Sequence, residues 1–373
     1  RFKCDWSSDV CSSDLLDAMK GILLHGGHGT RLRPLTHTGP KQLLPIANQP
    51  MSQYCIESMK NAGVTEIAVI IGGIGANKVK EYYGSGERFG VKITYIEQDL
   101  PKGISHAIRL CKDFINNEKF LVFLGDNIIQ IDISDYVKKF QDSDDAASIF
   151  LCKVDNPSRF GIADIRDCKI VKIMEKPKIP PTDLAVTGIY LLTPIIFQII
   201  DRLKPSWRNE LEITDALQML LEEGHKITYN MITDYWKDTG TPDDIIHANM
   251  AVLEKMNPYF HGKKEGDVGI SGNVMIGNNT IIKGETTLIG PIIIGNNCII
   301  EPHTKIGPNV SVGDNSRLSE CAVNNSIIMN DCVVEGKINI TKSIIAANSN
   351  ISFLAESKKD KVFLLGEGTR ITL

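Results

Sequence analysis

Apolar and polar positions follow two different rhythms along this chain. From Met19, short apolar runs at residues 21–24, 67–71, 91–96 and 120–124 are separated by helical stretches at about 51–62, 76–83 and 103–114. Gly63 closes the first of these stretches, and Gly125-Asp126 ends the last apolar run. Such alternation predicts an α/β sheet with helices on both faces. Ligands of such sheets gather at the carboxyl ends of the strands.

The second rhythm has a period of six. Ile270, Ile276, Ile282, Leu288, Ile294, Ile300, Ile306, Val312 and Leu318 recur at every sixth position, with Gly, Asn, Pro and Asp between them. This period suits neither an α-helix nor a flat strand. It predicts a parallel β-helix in which each hexad forms one side of a triangular coil and its aliphatic residue points inward. The regular hexads make about three coils. After Asn324 the register slips, and Ile327, Val333, Ile345 and Ile351 suggest a less regular continuation. Residues 256–267, with Pro258, Gly262 and mixed charges, read as a junction. The expected division is therefore 1–18, 19–257 and 258–373.

Composition narrows the class. With 373 residues, 42% hydrophobic and 23% charged, the chain is long enough for two packed domains and unlike a disordered polymer. No apolar run is long enough for a membrane span. A net charge of −4 offers no general field for nucleic acid or an anionic membrane, so neither is an expected partner. Any anionic substrate must find its counter-charge locally. The nine cysteines are scattered without a CxxC, which points to a reducing, cytoplasmic setting rather than a disulfide framework or zinc site. Residues 1–18 show no signal-peptide or transit-peptide pattern and resemble translated cloning sequence, so they are expected to be a non-native or disordered extension.

The first apolar run leads into Gly26-Gly27-His28-Gly29-Thr30-Arg31-Leu32-Arg33-Pro34. Closely spaced glycines let backbone N–H groups approach a phosphate, and an arginine adds a fork of donors. The spacing is neither GxxxxGK[ST] nor GxGxxG, which removes support for the common ATPase and dinucleotide sites. Alone, the loop is equally compatible with a simple turn after a strand. Pro40-Lys41-Gln42-Leu43-Leu44-Pro45 then places a lysine close behind it.

Together these segments resemble the signature of the sugar-1-phosphate nucleotidyltransferases, G-x-G-T-R-L-x-P-x-T followed by P-K-x-L-x-P. The resemblance continues through Glu97-Gln98, Gly103-Ile104-Ser105-His106-Ala107 and Leu124-Gly125-Asp126-Asn127. It extends through Phe160-Gly161, Glu175-Lys176-Pro177, residues 185–190, residues 210–215 and Trp236-Lys237-Asp238-Thr239-Gly240. Among branches, the pattern is most similar to the long-form glucose-1-phosphate thymidylyltransferases, which carry a hexapeptide-repeat tail. The resemblance implies a Rossmann-like α/β domain with a mostly parallel sheet, followed by a left-handed parallel β-helix. The coils themselves are expected to build a subunit interface or a regulatory platform, and hence a homo-oligomer, since an open β-helix end exposes strand edges that need covering.

The implied reaction is attack of a sugar 1-phosphate oxygen on the α-phosphorus of a nucleoside triphosphate, releasing pyrophosphate. The expected substrates are dTTP, or UTP, and glucose 1-phosphate. By the family's pattern Arg31 and Lys41 would neutralise the triphosphate, and Asp126 and Asp238 would hold Mg2+. Gly26, Gly27, Gly29, Thr30, Gln98 and Gly103 would line the nucleotide, with Gln98 reading the pyrimidine edge. Asn127, Gly161, Glu175, Lys176 and Val186 would form the sugar-phosphate pocket, Lys176 holding the phosphate and Glu175 a sugar hydroxyl. A non-catalytic subunit of the same fold is the competing class, and retention of Arg31, Lys41, Asp126 and Asp238 argues against it.

Several positions depart from the pattern. His25 stands where a small alanine is usual, and its ring would stack on the base, narrow the pocket or turn outward. Ile104-Ser105-His106 replaces Leu-Ala-Gln. Acyltransferases also use hexapeptide coils, but His303, the one histidine in the regular hexads, fits a turn residue better than a catalytic base.

Overall fold

The computed structural model describes residues 19–27, 29–353 and 359–372. The extension 1–18 and His28 lie outside the described residues.

Strand Lys20–Leu24 lies between Phe120–Leu124 and Glu66–Ile71, parallel to both, and Lys92–Glu97 extends the sheet in parallel beyond Glu66–Ile71. Successive side chains of a strand point to opposite faces, and both faces are covered here. Ile22, Leu24, Ile70 and Val122 pack with Ala107, Ile108 and Leu217, whereas Leu23, Val69, Leu121 and Phe123 pack with Ile56, Met59 and Val79. That two-sided burial is why the three central strands are nearly continuously apolar, whereas the edge strand Lys92–Glu97 is partly exposed. Helices Met51–Asn61 and Ala76–Tyr83 fall where the hydrophobic pattern placed them. The third stretch is broken at Cys111 into Ile104–Leu110 and Lys112–Ile115.

An antiparallel wing completes the nine-stranded sheet. The long strand Leu184–Leu192 pairs with Phe120–Leu124 on one side and with Ala147–Lys153 on the other. The hairpin of Gly161–Arg166 and Lys169–Glu175 joins at Ala185. This wing carries Gly161, Glu175 and Val186 to the side of the sheet facing Asp126. Separately, Trp236–Asp238 forms a two-stranded antiparallel ladder with Asn127–Ile129.

The C-terminal part is the triangular parallel β-helix, built of three parallel sheets of seven, seven and six strands. Ile276, Ile282, Leu288, Ile294, Ile300, Ile306, Val312 and Leu318 all lie fully buried in its interior. Ile270 is in register with Leu288 but 36% exposed, because its strand is the end of its sheet among the described residues. Residues read as a junction already form sides of the first coil, Tyr259–Phe260 and Lys263–Glu265. The charged character of Lys263–Glu265 reflects the open end of the prism.

The coils also continue well past Asn324. The slip comes from two shortened sides: Ile306 pairs with Val323 and Val312 with Ile328, so steps of five residues rather than six lead from Leu318 to Val323 and from Val323 to Ile328. Ile328, Val334, Ile340, Ile345 and Ile351 then fill the interior. Ile327, read above as part of the irregular continuation, instead faces outward and is buried against the α/β part.

That outer wall docks on helix Pro242–Lys255. Thr241 caps the helix, its hydroxyl accepting from the Asp244 N–H at 3.3 Å, with Pro242 in the first turn and Asp243 and Asp244 facing the dipole's positive end. Ile245, Ile246 and Leu253 pack with Met275, Ile293, Ile327 and Ile344 of the wall. Asn249 sits among these apolar groups, its Oδ1 accepting from the Ala47 N–H at 2.8 Å and the Ser311 hydroxyl at 2.6 Å. The last coil reaches the glycine-rich loop itself. Glu367 pairs with Lys78 at 3.1 Å and hydrogen-bonds Thr38, and a Cβ at Gly366 would lie 3.3 Å from Pro34.

Candidate active site

The site is built around the end of strand Phe120–Leu124. The turn Gly125-Asp126 is tight: a Cβ at Gly125 would lie 2.9 Å from the Leu24 carbonyl oxygen. The ladder register sets Asp238 opposite Asn127, and Thr239 donates to the Asp126 carbonyl from its backbone N–H at 3.1 Å and its hydroxyl at 2.8 Å. Two carboxylates far apart in sequence are thereby brought together.

Lys41 enters from the 3-10 turn Lys41–Leu43 and forms an ion pair with Asp126, both side chains being 13% exposed. Burial alone would lower the lysine pKa, but the Asp126 and Asp238 carboxylates outweigh it and hold Lys41 raised. Burial likewise opposes ionisation of Asp126, yet the Lys41 ammonium and the Asn127 amide keep its pKa low. For Asp238 the opposing pull of Lys41 and Arg31 is outweighed. Burial, then the neighbouring Asp126 charge, push it up to about 6. Arg31 projects from the short turn Thr30–Leu32, its guanidinium 3.2 Å from where a Cβ would stand at Gly240.

Asp126 and Asp238 form a two-carboxylate donor set, close enough for the Asp126 charge to raise the Asp238 pKa. This fits Mg2+, a hard cation that takes one or two protein carboxylates and completes its shell with water and substrate phosphate oxygens. Among the described residues no group of three or more His, Cys, Asp or Glu side chains forms an all-protein cage.

On one side of this centre, Gly26, Gly27, Gln98, Gly103 and Asp126 border one cavity. Gln42 donates to the Gly26 carbonyl at 2.9 Å, and Thr36 to the Gly29 carbonyl at 2.8 Å. Gly29 adopts the left-handed conformation that lets the loop turn into Thr30. Gly103 has a φ of 99°, and a Cβ there would lie 2.5 Å from the Leu211 carbonyl. His25 takes none of the three expected courses, because its ring turns into the core. It is 2% exposed, edge-on to Tyr83 at 5.9 Å, and neither ring nitrogen has a hydrogen-bond partner. Burial lowers its pKa to about 3.

On the other side a second cavity is bordered by Arg31, Lys41, Asn127, Gly161, Lys176 and Val186, among others. Asn127 Oδ1 accepts from the Gly188 N–H at 3.1 Å and the Trp236 indole at 2.7 Å, which fixes its amide. Glu175 accepts from Thr214 at 2.9 Å and pairs with Lys176 at 3.3 Å. Gly161 leaves room for this cluster, since a Cβ there would come within 2.5 Å of Thr214. Lys176 itself is held at a φ of 40°, a costly conformation for a side-chain-bearing residue.

The sequence-selected residues other than Gly29 and Thr30 line two adjoining cavities, with the Lys41–Asp126 pair between them, whereas Gly29 and the exposed Thr30 border neither. Two cations of the second cavity were missed. Arg208 bridges Glu175 at 3.2 Å and Glu212 at 2.7 Å, and Arg159 lines the same cavity. Arg208 stands two positions before the motif at 210–215, and nothing but its charge marked it. His303 is an exposed corner residue 2.9 Å from Glu285, as a turn residue should be.

The family model described as Nucleotidyl transferase matches residues 20–255. The chain belongs to the nucleotidyl transferase family. A second model, described as GMPPB C-terminal domain, matches residues 288–372 within the β-helix. The low-salt glycan biosynthesis nucleotidyltransferase Agl11 of Haloferax volcanii is 42% identical over 95% of this chain and 100% of its own length. A glucose-1-phosphate thymidylyltransferase of Streptomyces antibioticus is 38% identical over 95% of this chain and 99% of its own. Among solved structures, a putative glucose-1-phosphate thymidylyltransferase from Bacillus anthracis has a TM-score of 0.61 at 43% identity, covering 65% of this chain and 98% of that one. A UDP-glucose pyrophosphorylase complexed with UDP-glucose has a TM-score of 0.58 at 29% identity, covering 64% and 100%. Sugar-1-phosphate nucleotidyl transfer is the activity these relatives support for this nucleotidyl transferase. Among the described residues no helix is long and apolar enough to cross a membrane.

Proposed function

We propose that the protein transfers a thymidylyl group from dTTP to glucose 1-phosphate, giving dTDP-glucose and pyrophosphate. The observation that carries this reading is the buried Lys41–Asp126 pair, with Asp238 beside it, at the junction of a glycine-lined cavity and a cavity lined by Lys176 and Glu175. A phosphate oxygen of the sugar held by Lys176 forms a bond to the α-phosphorus as the bond to the β-phosphate oxygen breaks. No proton-shuttling nucleophile is required. Arg31 and Lys41 counter the charge that builds on the departing pyrophosphate, and preorganised cations in a partly dry site do this effectively. Mg2+ held by Asp126 and Asp238 would draw further charge from the phosphates. Glu175 takes a sugar hydroxyl, and the Asn127 carboxamide shapes the floor of that pocket.

Gln98 reads the base. Thymine and uracil present the same edge to an amide, so UTP is the second reading, and the likeness to a UDP-glucose pyrophosphorylase favours keeping it. A matrix of dTTP, UTP, CTP and ATP against several sugar 1-phosphates, followed by pyrophosphate release, tests both. Fastest release with dTTP and glucose 1-phosphate is expected. Preference for a purine, or no turnover with any hexose 1-phosphate, overturns the proposal.

A further inference from the structure

Gln98 is not a free amide. Its Nε2 lies 2.9 Å from His106 Nδ1 and 3.5 Å from the Gly103 carbonyl oxygen. Its Oε1 points the other way, 3.6 Å from where a Cβ would stand at Gly26, toward the nucleotide cavity. We propose that His106 fixes the orientation of the Gln98 amide and thereby selects a thymine or uracil edge over a cytosine edge. The inference rests on the reading of Gln98 as the base contact.

A glutamine amide is two-faced, with an acceptor and a donor that a half-turn of the terminal torsion exchanges. Left free, it pairs equally well with the N3–H and O4 of uracil or thymine and with the N3 and N4–H2 of cytosine. The neighbours remove that freedom. An amide nitrogen only donates, so His106 Nδ1 accepts and the ring carries its proton on Nε2. The Oε1 left facing the cavity accepts from N3–H of thymine or uracil, but it confronts a lone pair at N3 of cytosine. Turning the amide over incurs two costs. The His106 proton must move to Nδ1, and Gln98 Oε1 must face the carbonyl oxygen of Gly103. Burial, together with the charges of Arg109 and Lys102, lowers the His106 pKa against the opposing pull of Asp99, which keeps Nδ1 available as an acceptor. His106 is thus a positioning residue for the base, acting through Gln98.

Three replacements separate this role from a structural one. His106→Glu offers only acceptors, His106→Lys only donors, and His106→Leu neither. The quantity to measure is kcat/KM for CTP relative to dTTP, with glucose 1-phosphate saturating. The ratio should stay low in His106→Glu and rise by about tenfold or more in His106→Lys and His106→Leu. A ratio unchanged across all three variants, or raised equally in all three, overturns the inference while leaving Gln98 as the base contact. A wild-type enzyme that uses CTP or ATP as well as dTTP overturns the assignment of Gln98 and this inference with it.

Discussion

Asp238 stands opposite Asn127 in a short antiparallel ladder, so that its carboxylate meets Asp126 and Lys41 from the far side of the cavity. The two carboxylates are unequal. Asp126 is neutralised by Lys41, whereas Asp238 has no dedicated cation and resists ionisation. Replacing either by asparagine should lower kcat by about a hundredfold or more. Chelation of divalent cations should abolish turnover in the wild type, and added Mg2+ should restore it. Asp238→Asn should need a higher Mg2+ concentration for its residual rate, measured by pyrophosphate release across an Mg2+ titration. Near-normal turnover in both variants would remove these aspartates from the site.

The sugar end makes a separable prediction. Lys176 and Arg208 are the cations around Glu175. Lys176→Ala should raise KM for glucose 1-phosphate by roughly 10- to 100-fold, the worth of a charge-assisted contact, with a much smaller effect on KM for dTTP. Gly161→Ala should act on the same parameter, because the added methyl displaces Thr214 from Glu175. Equal effects on both substrates would argue that Lys176 serves the whole site.

His25 gives the protein an acid-sensitive spot. Its folded pKa lies near 3, below the ordinary 6.5, so between these values the unfolded chain holds a proton that the folded chain does not. Stability must therefore fall as pH drops below 6.5, and by pH 5 the loss from this one group is about 2 kcal/mol. His25→Ala removes the group. Denaturant melts at pH 7.5 and pH 5 should show a larger acid loss for the wild type than for the variant. An identical loss in both would mean that the ring is not buried neutral.

Asn249 ties the two parts of the chain together. Its carboxamide oxygen serves both Ala47 and Ser311 inside an otherwise apolar contact. Asn249→Leu would leave those donors buried without an acceptor, a cost of about 1 to 3 kcal/mol each. A lowered Tm is expected, along with faster proteolysis between helix Pro242–Lys255 and the first coil.

Much of this architecture was legible because burial on two faces, or inside a prism, imposes an unmistakable spacing. The strands Lys20–Leu24, Glu66–Ile71 and Phe120–Leu124 are nearly continuous apolar runs, and the hexads from Ile276 to Leu318 never miss. The coils past Asn324 were harder to follow because five-residue sides ending at Val323, Ile328 and again at Ile345 shift the later inward residues. Ile327 then looked like an interior residue out of step, when it belongs to the outer wall covered by helix Pro242–Lys255. Nothing local distinguishes those two kinds of burial. At the site, Arg31, Lys41, Asp126 and Asp238 were marked by motifs. Arg208 was not, since an arginine beside an exposed Trp207 has the composition of any surface loop. The inward turn of His25 depended on Tyr83, a partner that spacing alone does not reveal.

The contact of Glu367 with Lys78 and Thr38 turns the β-helix into a ruler. The wall is anchored at Ser311 by Asn249, and three strand steps separate Val310–Val312 from Leu364–Leu365. Each step advances about 4.8 Å. Deleting one coil between anchor and tip would withdraw Glu367 by that distance and uncover Pro34, whereas inserting one would drive the tip past the loop. The count of coils is therefore matched to the distance from helix Pro242–Lys255 to the glycine-rich loop, and the tail can change length freely only beyond Glu367.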